Sequence, residues 1–404
     1  MGKNVFYRRL FSNSGVTQLW MWAAPLLLLI PGLLNGNAVS AQTKPRQDFA
    51  TLSAQANAAR DANHLDEAVP LYNQALALRP TWAEGWWSLG TIRYDTNRYP
   101  AAAKSFQKLV TLQPKNGMGH AMLGLCQFEL GLDESALHHL EIATNLGIAP
   151  DPELRQVLLY HEAVLLERSG KFEHAQNILQ QLCLEGTTGA EVNNTLGMTL
   201  LRMTARTPPS TAGPDGQVVA GIGQAGCLVG QKKYDEAKAI LNSLATEYPQ
   251  FPNVHYASGL LLLDAGDTQA AITQFQQEIG NDPEHVLARL KIAAAEYKVD
   301  SQAGIPYAKE ALLINPQLSF GHYLLGLLLL DTGDYRGAIP QLEVARMSYP
   351  NEVRLYFALG SAYALAGRKE DAARARATFE RLNQEPQEKP KWAVLDSLRG
   401  RTSR

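Results

Sequence analysis

The sequence is poor in cysteine, in aromatic residues and in net charge. Cys126, Cys183 and Cys227 are its three cysteines in 404 residues. They are too few and too scattered for a disulfide framework, and no CxxC pair is present for zinc or redox work. An odd number cannot pair completely within one chain. Lys and Arg total 37 against 39 Asp and Glu, a formal charge of −2. Phosphate binding needs a clustered positive excess, so nucleic acid is excluded as the main partner. Aromatics make up 8% and charged residues 19%, whereas 46% of the residues are hydrophobic. That apolar content supplies a real core, in two or three ordinary domains or in one long repeat array.

The N-terminus reads as an address. Residues 1–18 carry Lys3, Arg8 and Arg9 and no acid, and an apolar stretch from Leu19 to Leu34 follows, interrupted by Pro25 and Pro31. Small and polar residues then lead to Ala38-Val39-Ser40-Ala41-Gln42. A basic head, a short apolar middle and a small-x-small end are the layout of a secretory signal, with cleavage expected after Ala41. An uncleaved membrane anchor is the alternative, although a span needs about 20 apolar residues. Removing three basic residues takes the charge from −2 to −5 in the exported protein. Export permits cysteine oxidation, but the helical positions of the cysteines favour buried free thiols.

Prolines beat a period through the rest. Pro80 and Pro114 lie 34 apart, and Pro249, Pro283, Pro316 and Pro350 are spaced by 34, 33 and 34. Such spacing marks stacked repeats, and its length suits two helices with two turns. In one copy Trp86, Leu89, Gly90 and Tyr94 recur at helical spacing, Asn97-Arg98 turns the chain, and Ala102, Phe106 and Leu109 mark the partner helix. Equivalent sets recur, among them His120, Leu123, Gly124, Gly131, Ala136 and Leu140, and His322, Leu325, Gly326, Gly333, Ala338 and Leu342. Gly or Ala at the eighth position and Ala at the twentieth let two helices cross closely. Gly131, Gly170, Gly266, Gly333 and Gly367 fall where a first helix ends and need a left-handed backbone.

This pattern resembles the tetratricopeptide repeat, W-x2-L-G-x2-Y…A-x3-F…P, over roughly residues 49–382. The resemblance implies an all-α fold, a right-handed α-solenoid of about nine to ten helix-turn-helix repeats. The chain then divides into a signal peptide (1–41), a linker (42–48), an N-terminal array (49–203), a Pro/Gly-rich loop (204–217), a C-terminal array (218–382) and a flexible tail (383–404). The loop, Thr204–Gln217, replaces the second helix of a degenerate fifth unit, because its prolines and glycines oppose helix.

Catalytic signatures are missing. Gly221-Ile222-Gly223-Gln224-Ala225-Gly226 spells the dinucleotide fingerprint, but it follows a proline-rich loop rather than a strand. Small residues for a tight helix crossing explain it better. His161-Glu162 begins a zinc motif that Leu165 fails to complete. His138, His139 and His161 are near in sequence, yet solvated surface positions fit them better than a metal site. His120, His255 and His322 each take the fourth place of a first helix, as packing substitutes for Trp86. No catalytic residue, cofactor or metal is expected, and the chain is not read as an enzyme.

First helices line the concave face of a helix-pair solenoid. The family resemblance implies that groove residues are the second, fifth, ninth, twelfth and thirteenth of each unit. Those places hold Trp87, Tyr160, Tyr256, Tyr323 and Phe357 at the fifth position, and Tyr94, Phe128 and Tyr297 at the twelfth. An aromatic strip with hydroxyl edges suits a peptide, since it offers large rigid area at low entropy loss. Aromatics there also serve packing between units. The Lys/Asn clamp with which some family members hold a chaperone's C-terminal carboxylate is not reproduced: Asn57 matches one place, but Ser53, Met118 and Met122 occupy others. The expectation is a non-enzymatic scaffold, periplasmic or secreted, that binds a protein or peptide in its concave groove during cell-envelope assembly. A self-associating structural module is the alternative. A membrane contact is expected only if the signal stays uncleaved.

Overall fold

The computed structural model describes residues 48–147, 152–204, 206–210 and 212–384. The signal, the linker up to residue 47 and the tail from 385 lie outside the described residues. Among those described are nineteen α-helices and no strand. The first eight are α1 (Phe49–Asp61), α2 (Leu65–Leu78), α3 (Ala83–Asp95), α4 (Tyr99–Leu112), α5 (Gly117–Glu129), α6 (Asp133–Leu146), α7 (Pro152–Arg168) and α8 (Phe172–Leu184). Next come α9 (Ala190–Leu200), α10 (Pro214–Gly230), α11 (Tyr234–Glu247), α12 (Val254–Asp264), α13 (Thr268–Asn281) and α14 (Val286–Glu296). The last are α15 (Ser301–Ile314), α16 (Ser319–Asp331), α17 (Tyr335–Ser348), α18 (Val353–Leu365) and α19 (Lys369–Gln384). The described residues form two compact parts, divided within α7 between residues 165 and 166.

Within a unit, small residues set the helix crossing. An added Cβ would stand 2.8 Å from Phe106 at Gly90, 2.8 Å from Leu140 at Gly124, 2.5 Å from Phe275 at Gly259 and 2.6 Å from Leu342 at Gly326. The larger partner always lies sixteen residues on, so it fills the hollow the glycine leaves. Left-handed turns join the paired helices at Gly131, Gly170, Gly266, Gly333 and Gly367, and Asn63 and Asn97 adopt the same conformation in the first two units. Asp48, Asn116, Asp267 and Asp334 accept a backbone N–H of the helix they open.

The periodic prolines have a partner that their spacing alone did not disclose. At five of the six the carbonyl accepts a hydrogen bond from the side chain six residues on, Pro283 being the exception because Arg289 there donates to the His285 carbonyl instead: Trp86 to Pro80 at 2.8 Å, His120 to Pro114 at 3.1 Å, His255 to Pro249 at 3.0 Å. His322 to Pro316 and Tyr356 to Pro350 repeat the contact, each at 3.0 Å. The fourth position therefore selects a ring bearing N–H or O–H. This donor satisfies a carbonyl left open at the end of the preceding helix.

The fifth unit departs from the pattern. Helix α9 ends at Leu200 and α10 begins at Pro214, so the connection starts before Thr204 and residues 214–217 of the expected loop are helical instead. Pro214 opens the helix because proline has no N–H to leave unsatisfied in a first turn. With its second helix absent, α9 packs on α10 as closely as the two helices of a regular unit pack on each other. Gly197 and Gly223 make this possible: a Cβ on either would overlap the opposing backbone, at the Val219 and Asn193 carbonyls respectively. The dinucleotide look-alike is thus a helix crossing, with Gly226 against Leu196 and Leu200 and Gly221 against Leu244.

The missing helix also corrects the reading of the cysteines. Cys183 on α8 and Cys227 on α10 are joined in a disulfide with Cα atoms 5.2 Å apart, rather than remaining free thiols. Without a second helix in unit five, α10 lies against α8 and their core thiols meet. Cys126 stays free and buried, its thiol pushed up to about 12 first by burial and then by Glu129.

Candidate interaction site

The first compact part holds four of the eight aromatic candidates. Trp87 is half-buried, edge-on to Phe106 at 5.7 Å, and Tyr94 is buried against Tyr99 at 5.4 Å. Phe128 and Tyr160, both half-buried, converge on the His161 ring at 4.6 and 5.5 Å. His161 is buried rather than solvated, and its Nδ1 hydrogen-bonds to Val157 of its own helix. In the second part Tyr323 is buried among Phe320 and Tyr349, and Tyr297 is half-buried beside the Lys298 ammonium. Phe357 is 63% exposed next to Phe379. Tyr94, Tyr256 and Tyr323 therefore pack between helices, while Trp87, Phe128, Tyr160, Tyr297 and Phe357 keep surface.

His139 has a different partner. The His120 ring donates through Nε2 to Pro114, which leaves Nδ1 to accept from His139 Nδ1 at 3.0 Å. Burial, then His120 and His138, hold His139 down to about 4. The folded state thus binds fewer protons than the unfolded chain between about pH 6.5 and 4, and stability falls as pH drops through that window. Units seven and nine place Gln274 and Gln341 at the same position, against His255 and His322. His139→Gln is expected to remove this acid sensitivity; equal melting-temperature losses from pH 7 to 4.5 in variant and wild type would contradict the assignment.

In the second part, first helices of successive units touch: α10 with α12, α14 with α16, and α16 with α18. The groove positions of unit seven, Tyr256, Leu260, Leu263 and Asp264, do not face open solvent there. Helix α8, the second helix of unit four, lies across them, and a cavity of about 50 Å³ remains between. Gln176 and Gln180 donate to the Asp264 carboxylate at 3.1 and 3.3 Å. Arg202 pairs with Glu173 at 3.0 Å, and its guanidinium lies 4.6 Å from the Phe172 ring and 6.0 Å from that of Tyr256. Arg202 makes the turn after α9 with a left-handed backbone, φ 56°, a conformation that disfavours any residue bearing a Cβ.

Charges in this cleft are balanced and largely removed from water. Lys291 of α14 is 4% exposed. Burial pushes its ammonium down to about 8, with Asp264 and Glu173 opposing the shift. Burial alone would raise the Glu173 carboxyl, but the charge and hydrogen bond of Arg202 hold it below the ordinary range. Glu278 of α13 accepts from the backbone N–H of Asn253 at 3.0 Å and of Tyr256 at 3.0 Å, which fixes the start of α12 beneath α8. The cleft can hold a helix that brings one carboxylate and hydrogen-bond donors. Sequence reasoning found only Tyr256 of this set. Arg202, Asp264 and Lys291 come from three different units, and no local spacing links them.

The tetratricopeptide repeat family matches residues 53–117, 89–150, 228–286, 256–298 and 323–380, together more than half of the chain. The unmatched stretch from 151 to 227 contains the incomplete fifth unit. No curated protein sequence matches. Among solved structures, MamA is 20% identical with a TM-score of 0.38, over 40% of this chain and 95% of that one. YrrB, described as a TPR protein with an unusual peptide-binding site, is 17% identical with a TM-score of 0.28, over 61% and 92%. Yeast Tom70 is 13% identical with a TM-score of 0.33, over 83% and 84%. Family matches fall on the same paired helices that the proline period and the glycine crossings define, and the chain belongs to the tetratricopeptide repeat family.

Proposed function

We propose that this tetratricopeptide array is an exported, non-enzymatic scaffold that engages a protein or peptide on its first-helix face within a cell-envelope complex. The observation that carries the reading is the repeat itself. Stacked hairpins place first helices of successive units side by side within the second part, and half-buried aromatics stand on first helices of each part. The Cys183–Cys227 bond supports export, since disulfides persist in oxidising compartments. The basic and apolar N-terminal segment supports it as well. Among the described residues no helix is long and apolar enough to cross a membrane.

Photo-crosslinking in the native cell tests the surface. A benzoyl-phenylalanine at Phe357, 63% exposed on α18, should give protein adducts that one at Leu313, 80% exposed on the second helix α15, does not. The same adducts from both positions, or none from Phe357, would remove the first-helix face from consideration. Mass spectrometry of the mature chain should find Gln42 at its N-terminus; an intact Met1 in the membrane fraction would establish the anchor instead.

A further inference from the structure

We propose that the first-helix face of units seven and eight is built to receive an amphipathic helix bearing a carboxylate and, one and two turns on, two carboxamides, and that α8 of this chain occupies it in cis. The inference rests on the function proposed above and names the kind of partner that one segment of that face accepts.

Helix α8 has two faces in use. Ala175, Leu179 and Leu182 are fully buried and belong to the apolar core. Glu173, Gln176 and Gln180, at i, i+3 and i+7, form a separate stripe. That stripe meets Arg202 and Asp264 through side-chain hydrogen bonds. Contacts of this kind, spanning more than eighty residues of sequence around a residual cavity, resemble a docked ligand more than a repeat interface. The groove positions beneath supply an aromatic floor from Tyr256, an apolar wall from Leu260 and Leu263, and an acceptor at Asp264, with cations at Lys291 of α14 and at Arg202, which reaches in from the turn after α9 in unit five. The disulfide pins the C-terminal end of α8 to α10, while Glu173, Gln176 and Gln180, the residues that cross the groove, lie before it.

The test uses the full-length chain and a labelled synthetic peptide of residues 170–186 with serine at Cys183. Glu173→Lys/Gln176→Lys reverses the stripe and leaves the core face of α8 unchanged. Fluorescence anisotropy should show the peptide binding this variant at least tenfold tighter than wild type, and a peptide carrying the same two lysines should bind neither. A photoreactive form of the peptide should label α12 and α14. Should circular dichroism show that the double variant loses helix, Gln176→Glu/Gln180→Glu, which opposes Asp264 alone, takes its place with the same expectation. Equal affinity for variant and wild type, no binding to the variant, or labelling elsewhere would overturn the proposal. Crosslinks from Phe357 alongside a negative peptide result would leave the scaffold reading standing and reject this one.

Discussion

Gly223→Ala is expected to be the most damaging single methyl group in the molecule. The new Cβ would overlap the Asn193 carbonyl of α9, and a backbone oxygen cannot rotate out of its path. Overpacking against side chains typically costs about 1–3 kcal/mol; with backbone opposed on both helices we expect about 3 kcal/mol or more. Gly197→Ala meets the Val219 carbonyl and should behave alike. Gly326→Leu provides the contrast. Its neighbour is the Leu342 side chain, so the expected loss is about 1–3 kcal/mol, confined to unit nine and its neighbours. Urea denaturation of the three variants checks the order, and a Gly223→Ala protein as stable as wild type would refute the crossing.

Loss of the disulfide is the second large effect. Cys183 and Cys227 are 44 residues apart and enclose the incomplete unit with its irregular segment. Closing a loop of that size contributes about 4 kcal/mol in the chain-entropy model, and measured values cluster at about 2–4 kcal/mol. Cys183→Ser/Cys227→Ser should therefore lose about 2–4 kcal/mol, and reductant should lower wild-type stability to the same level without affecting the variant. The loss should appear in α8–α11 and reach α12, which α8 lies across, because each helix depends on those it touches. A wild-type chain indifferent to reductant would show that the bond contributes nothing.

The paired helices were legible because their determinants lie within one period. The glycine at position eight and its large partner sixteen residues on are local, as are the capping residues and left-handed turns. The fourth-position histidines were rightly read as substitutes for Trp86, although their reason, a donor for the proline carbonyl, emerges only when the preceding helix end is in view. Glycines of the 221–226 segment were legible as a crossing once placed on a first helix.

What could not be read depends on the absent helix. A regular array keeps units four and six apart, so periodic reasoning places Cys183 and Cys227 in separate cores. Removing one helix brings α8 onto α10, and the bond follows. The meeting of α8 with α12 and α14 likewise joins residues from units that ordinary stacking separates. Tyr256 was chosen from its groove position, and that position is where the chain lays its own helix.

Hydrogen exchange resolved by helix, on wild type and Gly223→Ala, tests the central claim that stability passes between adjacent hairpins. The account predicts protection lost across α8–α11, diminishing through α12 and α13, with α16–α19 retaining wild-type protection. Uniform loosening of all nineteen helices would contradict it.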